Sequence, residues 1–394
     1  MSAPLRLVLA SHLASPVAPT GAERSLALLA AHLAQRGHQV TVLVPGAWVL
    51  GREVREAGAQ VVMVPSRPCW LTYWERRPWP VVAWKALRCW WGQRAVRRLE
   101  GAMAALAPQV VLVNCLPHLV AVQAAGRAGL PVLWHLREIL PPGRRRRWWG
   151  RRIAASGAAC VAVSQAVRAW VVEEVPALEV DVVYNGVQIP PTVPEPAQAR
   201  PILGLPEDGV WVGYLGQLAP HKGVELFLAA AARTGGGELH FLVAGPGTPQ
   251  QQRRVRARAA GVPGGCVVLA PRPEVGEFIA ACDVVVVPTL TPDPAPRVVI
   301  EAMAAGRVVV GAACGGIPEL IQDGTTGVLL RETSAAALAA ALVGLARGAE
   351  RRRQLGAAAR ARAAAHFALA RHVDEMETLL RRCAADAANR LPAQ

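Results

Sequence analysis

The sequence predicts an α/β protein built from two doubly wound domains, and three observations carry that prediction. Continuous β-branched runs, PQVVLVN at residues 108–114 and DVVVVP at 283–288, suit strands buried on both faces of a parallel sheet. Such runs alternate with helical patterns along the chain, as LRLVLAS at 5–11 does with ERSLALLAAHLAQRG at 23–37. The chain's 394 residues are enough for two domains, each with a substantial core.

In order, LRLVLAS is the first strand, and the loop SPVAPTGAERS leads into a helix that Gly37 stops. HQVTVLVPG is the next strand, and REVREAG with AQVVMVP adds another helix and strand. Gly21 and Glu23 stand where the first strand hands over to the first helix, so backbone N–H groups there are placed to face a phosphate. PQVVLVN and LPVLWHLRE continue the sheet, and His135, Arg137 and Glu138 close the second of these at its carboxyl end. A lone histidine in such a place is more often structural than functional. AACVAVSQAVRAWV is a strand followed by a helix capped by Ser164. VDVVYNGVQ ends a first domain of residues 1–187, and the Pro-rich stretch PPTVPEPAQARP marks a linker over 188–205.

The second domain, 206–365, opens with VWVGYLGQLAPHKGVELFLAAAA, a strand, a loop and a helix. ELHFLVAGPG is a strand ending in a Gly turn, and an Arg-rich helix follows it. In CVVLAPRPEVGEFIAACD, residues 272–277 begin the next helix. DVVVVPTLTPDPAPRVVIEAMAAG at 283–306 then reads as strand, Pro-rich turn and helix, ended by Gly306. The turn leaves Asp293 beside the carboxyl end of the strand, and Glu301 lies one or two turns into the helix. Open α/β sheets bind ligands at that edge. Two acids eight positions apart, straddling a helix N-terminus, suit the hydroxyls of a sugar and of a ribose. RVVVGAACGGIPELIQDGTTGVLL follows, and Ala-rich helices from Ser334 close the domain, with about 366–384 crossing back to the first.

Hydrophobic content of 53% with 18% charge excludes a disordered chain, and no apolar run reaches the ~18 residues of a membrane span. The start, MSAPLRLVLASHLASPVA, loosely mimics a signal peptide, but its apolar run is short and a helical pattern follows at once. Eight cysteines occur singly, without a CxxC pair or zinc-type spacing, as in a reduced cytoplasmic protein with no metal site. The formal charge is +15, and Lys85 and Lys222 are the only lysines. Residues 1–190 carry 22 basic and 10 acidic side chains and the remainder 21 and 18, so an anionic partner is expected to meet the first half.

Residues 67–98 hold six of the twelve tryptophans and eight basic side chains. There Trp90, Arg94 and Arg97 share one helical face, with Trp84, Arg88 and Trp91 beside it. RRRRWWGRR at 144–152 repeats the chemistry with Trp148 and Trp149. Indole and guanidinium together suit the headgroup layer of an anionic membrane. They equally suit a Trp-rich packing face with solvated arginines, whereas no nucleic-acid-reading motif accompanies the charge.

Strand, Pro-rich turn, acid, seven residues and then Glu within EAMAAG resembles the signature of glycosyltransferase family four, retaining enzymes of the GT-B fold. Five further landmarks follow in family order. They are Gly21-Ala-Glu-Arg, Asn185-Gly186-Val187, Gly216-Gln217-Leu with Lys222-Gly223, the Gly245 turn, and Gly315-Gly316 before Pro-Glu319. The family form has Glu-Pro-Phe-Gly where this chain has Asp293, Pro294, Ala295 and Pro296. It has Gly where Thr20 stands and Arg where Gln217 stands.

The resemblance implies two Rossmann-like domains facing an interdomain cleft, the second holding a nucleotide-diphosphate sugar of UDP or GDP type as substrate, with no further cofactor and no metal. It implies that Lys222, Asp293 and His135 surround the reacting sugar. Gly21, Gly216, Gln217, Gly245 and the helix start at Pro296, Arg297 and Val298 lie at the donor, whose ribose meets Glu301. His221 or Arg297 is placed to supply the charge that Gln217 lacks. The expected acceptor is a lipid-linked glycan or glycolipid of cell-envelope biosynthesis. The protein would be cytoplasmic, peripheral on the inner face of the membrane through Trp84, Arg88, Trp90, Trp91, Arg94, Trp148 and Trp149, with no nucleic-acid partner. A nucleotide-binding protein that no longer transfers, and an enzyme of soluble sugars, are the alternatives.

Overall fold

The computed structural model describes residues 3–66, 92–234, 237–270 and 275–390. The chain divides into two compact units. Unit 1 is Met1–Tyr184 with His372–Gln394, and unit 2 is Asn185–Arg371.

In unit 1, strands β1 (Arg6–Ser11), β2 (Gln39–Val44), β3 (Gln60–Met63), β4 (Val110–Asn114), β5 (Val132–Leu136), β6 (Ala159–Ala162) and β7 (Val180–Val182) form one sheet. Its order is β3-β2-β1-β4-β5-β6-β7, and every pairing is parallel. Helices α1 (Gly21–Gln35), α2 (Gly51–Glu56), α3 (Gly92–Leu106), α4 (Leu119–Arg127), α5 (Arg144–Ala154) and α6 (Gln165–Glu174) connect the strands. The apolar runs at β4 and β5 are buried throughout, as strands covered on both faces must be. Chain order reverses between β1 and β4, whose last residues Ser11 and Asn114 lie side by side.

Unit 2 repeats the plan with β8 (Val210–Leu215), β9 (Leu239–Ala244), β10 (Cys266–Val268), β11 (Val284–Val287), β12 (Val308–Ala312) and β13 (Val328–Leu330). The order is β10-β9-β8-β11-β12-β13, again wholly parallel, and it reverses between β8 and β11. Its principal helices are α7 (Val224–Arg233), α8 (Pro249–Ala259), α9 (Val275–Ala281), α10 (Arg297–Ala304), α11 (Ala335–Arg347) and α12 (Ala349–His366). The last helix, α13 (Leu369–Arg390), begins in unit 2, and from His372 onward it belongs to unit 1.

Two expectations are corrected here. The Pro-rich stretch 188–205, expected as a linker ahead of the second domain, is part of unit 2. Arg200, 2% exposed, pairs with Asp283 at 2.5 Å, Arg307 donates to the Pro194 carbonyl at 2.5 Å, and Arg360 reaches the Pro190 and Pro191 carbonyls. Proline supplies no backbone N–H, so this stretch is held by its carbonyls, and arginines far along the chain meet them.

The second correction concerns Trp149, expected at a membrane surface. It is fully buried, with Arg146, Gly150 and Ile153 on the inward stripe of α5, and its ring meets Trp134 edge-on with centroids 6.4 Å apart. The spacing i, i+3, i+4, i+7 is a core-facing pattern, and Arg146 enters the core because Glu173 and Glu174 neutralise it. Trp148 stays half-buried under the Arg152 guanidinium. Arg94 is exposed on α3, while Trp84, Arg88, Trp90 and Trp91 lie outside the described residues. No described helix is long and apolar enough to cross a membrane.

Candidate functional site

The reversal between β8 and β11 opens the carboxyl edge of the unit 2 sheet, where the loops from the two strands diverge. Lys222 ends the loop that leaves β8, and Asp293 lies in the turn that leaves β11. The two meet there: Lys222 Nζ donates to Asp293 Oδ2 at 2.5 Å, with the side chains 31% and 11% exposed.

Neighbouring groups hold each loop. Tyr214, on β8, donates its hydroxyl to the Gln217 carbonyl at 2.7 Å. The His221 carbonyl accepts from Leu290 N at 2.9 Å and from Thr289 Oγ1 at 3.1 Å, which fastens the Lys222 loop to the end of β11. Gly223 has φ +79°, and a Cβ there would lie 1.9 Å from the Pro288 carbonyl oxygen. Only glycine allows this approach. Gly315 does the same for the acid: φ is +62°, a Cβ would lie 2.2 Å from the Asp293 carbonyl oxygen, and Gly316 N donates to that oxygen at 2.8 Å. The double glycine after β12 is therefore a seat for Asp293.

α10 starts directly after this turn with Pro296 as its N-cap, and no side chain caps its first-turn N–H groups, that of Val298 included. Val299, Ile300, Ala302 and Met303 face the core. Glu301 stands on the same helix, 21% exposed, bonded through Oε1 to Arg297. Gly216 and Gly245 follow adjacent strands, and Gly216 N donates to the Ala244 carbonyl at 3.1 Å. Gln217 is exposed. The two candidates for its missing charge, His221 and Arg297, have different surroundings. His221 titrates below its ordinary range because part of the ring is buried and Lys222 adjoins it, while the Arg297 nitrogens are engaged by Glu301 and the Gly186 carbonyl.

Unit 1 has its own polar edge at the β1–β4 reversal. Thr20, standing where the family form has Gly, is the N-cap of α1 in a reciprocal capping box with Glu23. Glu23 is fully buried and accepts from Ser15 N, Ser15 Oγ and Thr20 N at 2.7, 2.9 and 2.8 Å, which sets the loop before Gly21. His135 lies within β5, 2% exposed, and burial lowers its pKa well below the ordinary value; its Nε2 has no partner among the described residues. His12 and His118 are also kept neutral, at about 3 and about 4, chiefly by burial.

The Glu138 carboxyl is enclosed although its residue is half-buried overall. Burial pushes it up to about 7, against the pull of N–H groups from Leu116 and Arg137. Beside it Cys115 holds φ 74° and ψ 148°, a backbone region that is almost exclusive to glycine.

Residues 19–189 match the family model described as Glycosyltransferase Family 4, and residues 197–362 match that of Glycosyl transferases group 1. The chain is 33% identical over 271 residues to alpha-maltose-1-phosphate synthase of Mycolicibacterium smegmatis, over 63% of this chain and 69% of that one. The chain belongs to glycosyltransferase family 4. This glycosyltransferase is also 34% identical over 159 residues to D-inositol 3-phosphate glycosyltransferase of the same organism, spanning 38% of its own length and 36% of that relative's. Its structure superposes on Anabaena HepE in complex with UDP and glucose with a TM-score of 0.78 at 21% identity, over 96% of this chain and 99% of that one. Its two Rossmann-like units are those of the GT-B fold.

Tyr214, Thr289 and Asn185 escaped the sequence reading as builders of the glycosyltransferase's site. Tyr214 left a signal, since a phenol in an otherwise apolar strand needs a partner for its hydroxyl. Asn185 stood in a landmark motif that gave no hint of its partner in the Asp293 turn, and Thr289 left no signal, because its partner is a carbonyl distant in sequence.

Proposed function

We propose that this glycosyltransferase moves a sugar from a nucleotide-diphosphate sugar to an acceptor with retention of the anomeric configuration. The observation that carries the reading is the Lys222–Asp293 pair at the unit 2 sheet reversal, with Glu301 on the helix that follows. Asp293 holds hydroxyls of the transferred sugar and Glu301 those of the ribose. Lys222 neutralises the charge that develops on the departing diphosphate, aided by the N-terminal turn of α10. The departing phosphate oxygen takes the proton of the acceptor hydroxyl on the same face as the forming bond. Asp293 thus positions the sugar and forms no covalent bond, and the reading requires no metal. Bound UDP and UDP-glucose in the HepE structures support a donor of UDP type.

The acceptor in this reading is a lipid-linked glycan or glycolipid of the cell envelope, met on the inner face of the membrane by a peripheral cytoplasmic protein. The basic excess of residues 1–190 supports it, as does the outward face of α5, where Arg144, Arg145, Arg147, Trp148 and Arg151 line a cavity of about 400 Å3. The names of the two sequence relatives favour a second reading, in which the acceptor is a soluble sugar phosphate or cyclitol phosphate. Either acceptor brings phosphate to an arginine face.

Labelled UDP- and GDP-sugars, incubated with the enzyme and either membrane lipid extract or soluble sugar phosphates, separate the readings. Label in the organic phase supports the lipid acceptor, and label on a water-soluble phosphate supports the second. No transfer from any common donor to either acceptor overturns both.

A further inference from the structure

By the resemblance Arg297 lies at the donor, and with His221 it is one of two residues placed to supply the charge that Gln217 lacks. The geometry points to a different role. Arg297 is a positioning residue that presents one carboxylate oxygen of Glu301 to the donor ribose and ties the start of α10 to the segment where the chain enters unit 2. This rests on the reading of Glu301 as the ribose ligand.

Nε and one terminal nitrogen of Arg297 both lie 3.1 Å from Glu301 Oε1, and the other terminal nitrogen donates to the Gly186 carbonyl at 3.0 Å. One residue earlier, Asn185 donates from Nδ2 to the Ala295 carbonyl at 3.0 Å, inside the turn between Asp293 and the helix. Unit 2 begins at Asn185, so its first two residues fasten both the Asp293 turn and the cation that holds Glu301.

The placement of Arg297 is unfavourable unless it does something. A cation in the first turn of a helix opposes the helix dipole, and this side chain is only 9% exposed. Removing a guanidinium from water is costly unless its N–H groups find acceptors. Both bonds to Glu301 fall on Oε1, and Oε2 has no partner among the described residues. A carboxylate pinned at one oxygen offers the other in a single orientation. Its rotamer freedom is then already spent before a ligand arrives, which favours binding.

Calorimetric titration tests this. Of UDP, GDP and ADP, the one that the wild-type protein binds most tightly is compared with its 2′,3′-dideoxy analogue. Wild type is expected to prefer the ribonucleotide by about tenfold or more, and Glu301→Ala by no more than about threefold. Arg297→Met is expected to fall with Glu301→Ala, and Arg297→Lys, which keeps one N–H bond to the carboxylate, to fall between.

The ratio of two ligands cancels any general loss of folded protein, so a purely structural role does not move it. A wild-type ratio in Arg297→Met, with the ratio lost in Glu301→Ala, overturns the positioning role and leaves the ribose reading standing. A ratio kept in Glu301→Ala overturns the ribose reading and the positioning role with it, as does the absence of binding by all three nucleotides. If Arg297→Met fails to fold, Arg297→Lys decides on the same criterion: a wild-type ratio overturns the role.

Discussion

Lys222 is one of two lysines in a chain that otherwise uses arginine, and its ammonium is the cation paired with Asp293. A compact ammonium fits against one carboxylate oxygen where a planar guanidinium would need a wider seat. Gln217 is uncharged, and burial together with the neighbouring Lys222 lowers the pKa of His221, so the positive charge of this loop centres on Lys222. Lys222→Met is therefore expected to lower kcat about 100-fold or more, and Asp293→Asn to lower it comparably, in labelled-sugar transfer assays. Activity within a few-fold of wild type in Lys222→Met would refute the assignment of charge to this residue. Glycine acts at the same scale: Gly223 and Gly315 exist so that Pro288 and Asp293 can approach without a Cβ between them.

At the scale of elements, α5 and α13 show how helices rich in charge still find a core. In α5 every third or fourth residue turns inward despite six arginines in eleven positions. Trp149→Ala is expected to cost about 3–5 kcal/mol in denaturant unfolding, and Trp148→Ala under about 1 kcal/mol. Equal losses would contradict the inward orientation of Trp149.

Helix α13 buries Val373, Met376 and Leu380 and is clamped by Glu377, which binds Arg36 at 2.9 Å, Arg381 at 2.7 Å and His38 at 3.2 Å. His38 Nδ1 accepts from Leu5 N at 3.0 Å, so its Nε2 carries the hydrogen that faces Glu377. Burial works against the Glu377 charge, but the bonds from Arg36, Arg381 and His38 outweigh it and hold the pKa at about 2. A carboxyl whose folded pKa is depressed stabilises the fold above its unfolded pKa of about 4.5, and that contribution is lost as pH falls toward about 2. Glu377→Gln is expected to cost about 1–2 kcal/mol at pH 7 and to flatten the loss of stability below pH 4.5, as followed by circular dichroism. An unchanged acid limb would show that α13 is held by its apolar stripe alone.

The molecule as a whole is two units, each with its own parallel sheet, and only unit 2 is continuous in sequence. Unit 2 is anchored at its start by Asn185, Arg200, Arg307 and Arg360, all bonded within the unit. Residues 185–371 expressed alone are therefore expected to unfold cooperatively. Residues 1–184 without 372–394 lack the Glu377 clamp and are expected to unfold at least about 5 °C below unit 1 in the full chain. Calorimetry of the two fragments checks both; a broad, uncooperative transition from 185–371 would deny that the unit stands alone.

The strands, helices and order of the site residues were legible because their signals are local: β-branched runs, glycine stops, and an acid before and within a capless helix. The β-strand at Val284–Val287 and the helix Arg297–Ala304 fall where the residue pattern puts them. Trp149 and the stretch 188–205 read otherwise, since in both cases a residue distant in sequence or a helical turn away decides the environment. Composition at 144–152 records six arginines and two indoles, but only packing against Trp134 and Glu174 selects which of them face inward. Residue order alone thus established the α/β class, the two-domain plan and the candidate acids, because secondary structure and strand burial follow from short-range pattern. Which carboxylate meets Lys222, which is pinned by Arg297, and which prolines a distant arginine holds were settled by tertiary structure, because ion pairs and desolvation depend on distances that the chain acquires only when its loops converge.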